Sequence, residues 1–434
     1  MLIRYKQDEK GKSVPVAKIY TVKEHHINPN WIDRDAYKAI KTLQARGEEA
    51  YLVGGAVRDL MLGLIPKDFD ITTSASPRQI HKLFWNSRII GKRFKLVHLS
   101  YNGKIIECST FRSAEESFDG NNNVFGTVDQ DAMRRDFTIN SLYYDPIKQQ
   151  VLDFNNALID FKKKRISSII DLDTSFREDP VRMIRAIKYS ITTGFSLRWN
   201  VKRAIKRDFQ ELGTCSTSRL TEEVNKILSS GHSYEIFNQL NRYKLLVFLL
   251  PSYSNFFKIS NVSDNLKELD RIISMARKER KPDVPVSEML RYLVKDLIIY
   301  SDEEMTPRER FKETFRQIKV IISPMTPSNY EVELCASNLL ASKGYKVPRG
   351  CVRTPKTDYR LQNRNNSSKY RGRRRKKPTD SKARSATSVP KSKVKAQNKK
   401  KNANNTPKSA SYNKIAPVKQ EQTTTAPASF ALEE

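Results

Sequence analysis

The closely spaced pair Asp68 and Asp70, thirteen residues after the glycines Gly54 and Gly55, constrains this chain more than any other feature. Side chains alternate between the two faces of a strand, so both carboxylates are expected to point to the same side. Two such carboxylates repel each other unless a cation lies between them. Mg²⁺ binds one or two carboxylates together with substrate phosphates, so the pair predicts a divalent-metal site.

The residues around the glycines predict a strand that turns directly into a helix. Residues 51–53 are apolar, and residues 56–62 are typical of the start of a helix. A glycine turn at a helix N-terminus is a natural place for a phosphate. Neither the Lys-Ser or Lys-Thr of a Walker loop nor the third glycine of a dinucleotide fingerprint follows. A phosphate-binding turn beside a carboxylate pair therefore indicates nucleotidyl transfer.

A third carboxylate, Glu107, is predicted on a strand over residues 104–111. The dipeptide Asn102-Gly103 is a strong hairpin turn and joins this strand to another over residues 96–101. If the strand lies beside the one with Asp70, three carboxylates surround two Mg²⁺ or Mn²⁺ ions, as in-line phosphoryl displacement requires. Taken alone, Glu107 would equally well be an edge-strand charge.

Two further segments carry groups that bind phosphate, ribose or base. Arginine matches two phosphate oxygens, and Asp or Asn accepts hydrogen bonds from sugar hydroxyls. Residues 134–140 could instead form a salt-bridged turn, and residues 178–185 a helix capped by Asp179 with Pro180 at its first position. The residues predicted to bind the nucleotide are Gly54, Gly55, Arg58, Asp59, Arg134, Arg135, Asp136, Asn140, Glu178, Asp179, Arg182 and Arg185.

The formal net charge of +31 predicts a polyanionic partner, and nucleic acid is the natural one. Residues 351–434 hold 22 Lys or Arg and 5 Asp or Glu, and their composition predicts a disordered tail. Such a tail binds phosphates with strong salt dependence, with Tyr359 and Tyr370 near enough to stack on bases. The alternatives are a patch that resembles a nuclear-localisation signal and a tail that only improves solvation of the protein. The residues predicted to bind RNA are Arg371, Arg373, Arg374, Arg375, Lys376 and Lys377.

The remaining composition predicts a soluble cytoplasmic protein. Four cysteines are scattered without a Cys-x-x-Cys pair, which disfavours zinc and disulfides and fits a reducing compartment. The N-terminus has no apolar signal segment, and the longest apolar run, residues 245–250, is too short to span a membrane.

The pattern along the chain predicts an α+β protein, and the family that its motifs resemble implies a head, a neck and a body. We predict an N-terminal arm over residues 1–30 and a nucleotidyltransferase head, a mixed sheet with helices, over 31–175. An all-α neck over 176–235 and a helical body over 236–348 follow. The basic tail occupies 349–434.

The motifs resemble those of bacterial poly(A) polymerases, in the nucleotidyltransferase family shared with tRNA CCA-adding enzymes. They are LVGGAVRDL at 52–60, KDFD at 67–70, IE at 106–107, RRDFTINSLY at 134–143 and REDPVRM at 177–183. The resemblance implies that Asp68, Asp70 and Glu107 hold the catalytic metals and that Gly54 and Gly55 pack against the triphosphate. It also implies that Glu178, Asp179 and Arg182 face the base.

Residues 91–98, GKRFKLVH, favour the poly(A) polymerase branch, because CCA-adding enzymes usually carry Gly-Thr-Val there. Two positions depart from the family pattern. Residues 153–156 stand where a Gly-Gly turn is usual, and Lys188 replaces an arginine. The predicted function is template-independent addition of AMP from ATP to RNA 3′ ends, with RNA-decay or RNA-binding proteins as candidate partners. The alternatives are a CCA-adding enzyme using CTP and ATP on tRNA, and a non-catalytic RNA-binding protein.

Overall fold

A nine-stranded mixed sheet forms the N-terminal part of the chain, and helices form the rest. The computed structural model describes residues 1–8, 10–91, 96–113, 125–279, 281–301 and 304–353, so the predicted tail from residue 354 onward, with its six RNA-binding residues, lies outside the described residues. The strands are β1 Leu2–Gln7, β2 Ser13–Tyr20, β3 Ala50–Val53, β4 Asp70–Thr73, β5 Ser87–Ile90, β6 Leu96–Tyr101, β7 Lys104–Thr110, β8 Leu142–Asp145, β9 Gln150–Asp153, β10 Arg165–Ile166 and β11 Ser196–Leu197.

The order of the large sheet is β1-β2-β9-β8-β3-β4-β7-β6-β5, and β10 pairs with β11 in a separate small sheet. Within the large sheet, β4 and β7 pair in parallel, with Asp70 opposite Glu107. The hairpin predicted at Asn102-Gly103 is confirmed, and both residues have positive φ, of 38° and 89°, as a type I′ turn requires.

Helices pack on both faces of the sheet, in two separate hydrophobic cores. The first six helices are α1 Val22–His25, α2 Arg34–Gln44, α3 Gly55–Met61, α4 Pro77–Leu83, α5 Val128–Met133 and α6 Ala157–Lys162. Ile40 of α2 and Ile80 of α4 pack in one core with the strand residues Ile71 and Cys108. Because strand side chains alternate, the residue before Ile71 and the residue before Cys108 point to the opposite face. Asp70 and Glu107 are those residues.

The sequence placed residues 1–30 outside the head as an arm, and this is wrong for residues 2–20. They form β1 and β2, and β2 pairs with β9 at the sheet. Pro15 hid the strand pattern because proline cannot donate a backbone hydrogen bond to a sheet. The structure accommodates Pro15 opposite Tyr5, directly after a register shift between Arg4 and Tyr5.

The C-terminal half is helical, as predicted, apart from the two-residue strand β11. Its helices are α7 Leu172–Glu178, α8 Val181–Thr193, α9 Trp199–Asp208, α10 Thr217–Leu228, α11 Ser233–Arg242, α12 Leu246–Leu249, α13 Pro251–Phe256, α14 Ser260–Lys278, α15 Val286–Val294, α16 Pro307–Ile322 and α17 Asn329–Ser342. Short 3₁₀ turns lie at Pro29–Trp31, Thr138–Asn140 and Phe209–Thr214. The α+β fold class is therefore confirmed for the described residues.

The predicted boundary between neck and body at residues 235/236 falls inside α11. One hydrophobic core extends without a break from Phe176 in α7 to Leu340 in α17. Neck and body therefore share a core, because the apolar faces of consecutive helices pack on each other rather than on separate centres. No helix in the described ranges is long and apolar enough to cross a bilayer.

Candidate active site

Most residues predicted to bind the nucleotide line one open cavity of about 710 Å³. Nine Lys or Arg and seven Asp or Glu side chains line it, so it offers many donors to an anion despite its carboxylates. Among the predicted residues, all in described segments of the head and neck, only Glu107 and Glu178 are not part of its lining. The predicted residues in the lining are Gly54, Gly55, Arg58, Asp59, Asp68, Asp70, Arg134, Arg135, Asp136, Asn140, Asp179, Arg182 and Arg185.

At one side of the cavity, the backbone of the glycine turn at Gly54 and Gly55 lies next to two arginine side chains. Gly54 has φ +65° and ψ −129°, a backbone conformation that residues with a Cβ rarely adopt, and Gly55 begins α3. A Cβ on Gly54 would lie 3.7 Å from Nη1 of Arg135, and one on Gly55 would lie 3.6 Å from Nη2 of Arg58. The first N–H groups of a helix have no acceptor within the helix. The turn thus leaves backbone donors and two guanidinium groups near one another.

The carboxylates Asp68, Asp70 and Glu107 occupy neighbouring backbone positions. Asp70 opens β4 directly opposite Glu107, and Asp68 precedes the strand by two residues. Burial, and then the charges of Glu107 and Asp68, raise the pKa of Asp70 to about 6. Asp70 keeps solvent-accessible surface because the cavity is open, but protein surrounds it and weakens the solvation of its charge.

The side chains do not converge as a three-carboxylate cluster. No group of three His, Cys, Asp or Glu side chains in the described ranges is close enough to hold a metal ion. Glu107 instead lies with Oε1 3.6 Å from Nε2 of His98, its antiparallel neighbour on β6. Like charges repel, so without a cation the nearby imidazole is the more favourable neighbour for Glu107. The predicted strand adjacency is present, and the predicted convergence of the side chains is not.

Asp131, which the sequence analysis missed, fixes the two adjacent arginines. It is fully buried on α5 and forms ion pairs with Arg134 and with Arg135, the latter at 2.9 Å. Tyr143 donates a hydrogen bond to Asp131 at 2.7 Å. Burial alone would raise the pKa of Asp131, but Arg135 and Arg134 outweigh it and lower that pKa to about 2. The carboxylate therefore stays ionised at neutral pH and orients both guanidinium groups.

A second chain of contacts links α3 to α8 through Asp136 and Asn140. Arg58 donates to Oδ1 of Asn140 at 3.1 Å, and Asn140 donates to Oδ1 of Asp136 at 3.1 Å. Arg185 donates to Oδ2 of Asp136 at 2.7 Å. The guanidinium groups of Arg58 and Arg185 also lie 4.9 and 5.2 Å from the ring centre of Tyr189. Both oxygens of Asp136 are thus already engaged in holding this arrangement.

The junction of α7 and α8 presents Asp179 to the cavity, although not as the predicted helix cap. Its backbone N–H donates to Ser175, so Asp179 ends α7, and Pro180 precedes α8 as its N-cap. The Asp179 side chain accepts a hydrogen bond from Arg219 at 2.7 Å through Oδ2. Its buried Oδ1 has no hydrogen-bond partner among the described residues. A buried acceptor without a partner is unfavourable and marks a position for a donor.

The lining that sequence reasoning did not assign to the site lies mainly on α10 and on the later part of α8. Lys188 donates to Glu223 at 2.6 Å, and Arg185 lies 3.7 Å from the same carboxylate. Burial, and then the charge of Arg185, lower the pKa of Lys188. A sequence pattern could have identified these α10 residues. The charged residues 219, 222, 223 and 226 recur at helical spacing on one face of α10.

The comparison with known families bears on this site directly. Residues 50–167 match the sequence model of the "Poly A polymerase head domain". This segment is similar to the head domain of poly(A) polymerases. It includes the glycine turn, Asp68, Asp70, Glu107 and the arginine segment, so the predicted resemblance is confirmed for the head. Residues 194–257 match a second model, described as the probable RNA and SrmB-binding site of polymerase A.

Relatives of this chain include enzymes of both branches. Poly(A) polymerase I of Salmonella typhimurium is 37% identical over 284 residues, which is 62% of this chain and 60% of the relative. A CCA-adding enzyme of Lactobacillus helveticus is 37% identical over 206 residues, 46% of this chain and 51% of the relative. The chain thus spans about 60% of the length of the poly(A) polymerase. The crystal structure of the Bacillus stearothermophilus CCA-adding enzyme with CTP has a TM-score of 0.47 at 23% identity, covering 72% of this chain and 83% of that chain.

Proposed function

We propose that the protein adds AMP from ATP to RNA 3′ ends without a template. The RNA 3′-hydroxyl oxygen forms the new bond to the α-phosphorus, the bond to pyrophosphate breaks, and the hydroxyl proton leaves to solvent. One observation carries the proposal. A single cavity holds the glycine turn, the Asp68 and Asp70 carboxylates, a set of arginines and the unpartnered Asp179 oxygen. The relatedness of the head to poly(A) polymerases supports the same activity.

The donor set fits divalent cations such as Mg²⁺. Asp68 and Asp70 supply hard oxygen donors in the cavity, and Glu107 is the strand neighbour of Asp70. The raised pKa of Asp70, caused in part by Glu107 and Asp68, reflects a repulsion that a cation would offset. When bound, such ions lower the pKa of the attacking hydroxyl and neutralise the leaving pyrophosphate. We infer that Asp68 and Asp70 hold them, and that Glu107, which faces His98 in this structure, turns to join them when the ions bind.

The arginines are arranged to receive the triphosphate. Asp131 fixes Arg135, and Asn140 and Asp59 hold Arg58, so neither guanidinium has to be ordered when the substrate arrives. Prearranged donors lose less entropy on binding than mobile ones. The backbone at Gly54 and Gly55 lies against the same two side chains. This surface suits the phosphates, with the α-phosphorus toward Asp70.

Asp179 suits recognition of the base. Its free Oδ1 accepts a hydrogen bond, and Arg219 holds the other oxygen. Adenine and cytosine carry an exocyclic amino group that donates, whereas thymine-type and guanine bases present a carbonyl oxygen at the equivalent position. We infer that the pocket accepts adenine or cytosine. This oxygen alone does not discriminate ATP from CTP. The length of the product is therefore needed to distinguish the two activities.

A product-length assay tests the proposal. The full chain is incubated with Mg²⁺, an unstructured RNA or a tRNA, and one labelled nucleoside triphosphate at a time. We expect long A tracts on generic RNA. Asp70→Asn serves as the control and should lose more than about 100-fold, because even outer-shell partners of a metal are worth 10–100-fold. Equal incorporation by Asp70→Ala and the parent protein would favour the non-catalytic RNA-binding alternative.

The second candidate is a tRNA CCA-adding activity. The Lactobacillus helveticus relative, a CCA-adding enzyme, is as similar over its matched segment as the poly(A) polymerases are. In the same assay, a CCA-adding enzyme would use CTP as well as ATP and would stop after a short, defined addition to tRNA. That outcome would replace the poly(A) assignment.

A further inference from the structure

The small sheet of β10 and β11 brings two basic segments together that are distant in sequence. Ser196 donates its N–H to the carbonyl oxygen of Lys164 at 2.8 Å, and Arg198 donates to Ile166 at 3.1 Å. Residues 162–164 are three consecutive lysines, which we call the lysine loop, although Lys162 is the last residue of α6 and only Lys163 and Lys164 form the turn before β10. Arg198 directly precedes α9. The lysine loop of the head and the start of α9 are therefore side by side.

The helix α9 extends this charge along its exposed side. Arg198, Lys202 and Lys206 follow one another at four-residue spacing, which places neighbours about 5–6 Å apart on one face. Trp199 and Arg203 form the adjacent row at the same spacing. All five side chains are exposed, and Trp199 is 68% exposed. An aromatic ring thus lies at the end of a basic helix face.

These cations have no acidic partners that would explain them as ordinary surface ion pairs. Among the described residues none of the seven Lys and Arg side chains named above forms an ion pair or a side-chain hydrogen bond. By contrast, the next arginine, Arg207, pairs with both Asp173 and Asp208. Two acids, Asp171 and Asp173, line the adjoining cavity of about 520 Å³ together with Trp199. Asp173 is paired with Arg207, and Asp171 accepts the backbone N–H of Asp173 as the cap of α7. The seven positive charges are left for an external anion.

We propose that this surface binds the RNA strand upstream of the 3′ end. We name it the α9 basic surface. The direction of the strand rests on the proposed function, because the 3′ end must lie in the active-site cavity. The members of the α9 basic surface are Lys162, Lys163, Lys164, Arg198, Trp199, Lys202, Arg203 and Lys206.

The position of the surface sets the length of RNA that reaches it. The helix α8 lines the active-site cavity from Val181 to Tyr189, and its C-terminus leads through Gly194 into β11 and α9. Its 13 residues span about 20 Å at 1.5 Å per residue. From the Val181 end of the helix, a stacked strand that rises about 3.4 Å per nucleotide covers this length with about six nucleotides. With the 3′ end at the Val181 end of the cavity, the surface should therefore act on long RNA more than on a tetranucleotide.

The segment matched as a probable RNA-binding site begins at residue 194, so it contains α9 but not the lysine loop. The loop lies inside the head-domain match. The pairing of β10 with β11 is what joins the two into one surface. The proposal thus extends the RNA path onto the head and assigns Trp199 as a stacking residue.

Removing the lysines of the loop tests the electrostatic part of the proposal. The variant Lys162→Gln/Lys163→Gln/Lys164→Gln should bind a 20-nucleotide RNA about five- to tenfold more weakly at 0.1 M salt. The slope of log affinity against log salt should fall by about 2, since each phosphate contact on single strands contributes about 0.7. The matched control removes three exposed lysines from the body that also lack ion pairs, Lys258→Gln/Lys278→Gln/Lys346→Gln.

Substitution of Trp199 tests the stacking part. Trp199→Ala should weaken binding of the 20-nucleotide RNA about fivefold or more, in line with the loss of one aromatic–base stack. Trp199→Phe should restore most of that affinity because it keeps an aromatic face. Trp85→Ala is the matched control, since Trp85 is 95% exposed on the head and lies outside the surface.

Length dependence separates this proposal from the proposed function. ATP incorporation onto a four-nucleotide primer should stay within twofold of the parent protein in every variant, while the KM for the 20-nucleotide RNA rises. The proposal would be overturned if the variants of the α9 basic surface bound the 20-nucleotide RNA as tightly as the control variants do. The proposal would also be overturned if the variants bound RNA as the parent protein does but no longer bound polyglutamate or anionic vesicles. If the parent protein incorporated no nucleotide at all, the proposed function would be refuted. The RNA-binding measurements would still decide whether the α9 basic surface binds RNA.

Discussion

At the scale of single residues, Asp70 combines a proposed catalytic role with a cost in stability. Burial and the neighbouring Glu107 and Asp68 raise its pKa to about 6, above the value of about 4 expected in the unfolded chain. The folded state therefore holds the proton more tightly, and stability falls as pH rises from about 4 to about 6. We expect Asp70→Asn to raise Tm by about 1–3 °C at pH 7.5, a small gain because solvent screens this open site.

The measurement is thermal unfolding of both proteins between pH 4 and pH 8. The difference in Tm should be full above pH 6–7 and should shrink toward pH 4, because Asp70 becomes protonated in both states only below that pH. Asp264→Asn is the control, because Asp264 is exposed on α14 and lies outside the cavity. A gain in Tm that is independent of pH would contradict the electrostatic origin.

Asp131 is expected to behave in the opposite way. Its pKa is lowered to about 2 by Arg135 and Arg134 against the effect of burial, so its ion pairs stabilise the fold above pH 4 and lose this effect as pH falls toward 2. Asp131→Asn leaves two arginines without a counter-charge and should lower the free energy of unfolding by about 3 kcal/mol at pH 7. It should also raise the KM for ATP, because Arg135 loses its orientation.

Urea denaturation and nucleotide-incorporation kinetics measure the two effects of Asp131→Asn. Asp145→Asn is a matched buried control, since Asp145 accepts only the backbone N–H groups of Ile147 and Lys148. An amide oxygen can accept both bonds, so we expect a loss below about 1 kcal/mol there. Equal losses for the two variants would show that burial, and not the arginine pairing, makes Asp131 important.

At the scale of secondary-structure elements, the turn between β3 and α3 depends on a glycine conformation. Gly54 has φ +65° and Gly63, at the other end of α3, has φ +72°. Alanine at either position should cost about 1–3 kcal/mol of stability because of the strained backbone. Only Gly54→Ala should also reduce incorporation, since its Cβ would lie against Arg135, whereas a Cβ on Gly63 meets no atom within 4 Å of described structure.

Parallel measurements of Tm and of the KM for ATP on Gly54→Ala and Gly63→Ala separate strain from substrate binding. We expect similar falls in Tm and at least a tenfold difference between the variants in kcat/KM. If Gly63→Ala lost as much kcat/KM as Gly54→Ala, the glycine turn would be a folding element without a direct role at the phosphates.

Elements whose pattern is local could be predicted, and those that depend on distant partners could not. The strand–glycine–helix unit and the hairpin at Asn102-Gly103 follow from neighbouring residues. The strand β2 was missed because Pro15 interrupts its pattern and its partner β9 lies more than a hundred residues away. Asp131 was missed for another reason: its ion pairs are local, at i+3 and i+4, but the burial that makes them important is not visible in the sequence.

The departures from the family pattern show how substitutions can keep a local geometry. Asn156 takes the left-handed conformation, with φ 56°, that a glycine turn would supply. Asp153 accepts hydrogen bonds from the N–H groups of Asn155, Ala157 and Leu158. Lys188 keeps an ion pair with Glu223 at 2.6 Å. These positions change the residue type without opening a gap in the site.

At the scale of the whole molecule, the proposed RNA path and the basic C-terminal segment add charge at different places. Residues 354–434 hold 21 Lys or Arg and 5 Asp or Glu. The backbone N–H of Arg353 donates to the buried carboxylate of Glu333 at 2.8 Å, so a truncation should keep Arg353. We expect deletion of residues 354–434 to weaken RNA binding at least tenfold at 50 mM salt and to flatten its salt dependence, because counterion release falls with the number of phosphate contacts.

The α9 basic surface and the active-site cavity lie within residues 1–353, so the truncated protein should retain both. Its KM for ATP on a tetranucleotide primer should stay within twofold of the full chain. Fluorescence anisotropy of labelled RNA across a salt series measures the first effect, and initial incorporation rates measure the second. A full-length control replaces with Gln the basic cluster Arg371, Arg373, Arg374, Arg375, Lys376 and Lys377. The full chain, the truncated protein and the Gln variant could all bind RNA with the same affinity at 50 mM salt. That result would show that the tail does not contribute to RNA binding, and the α9 basic surface would remain as the proposed RNA contact outside the cavity.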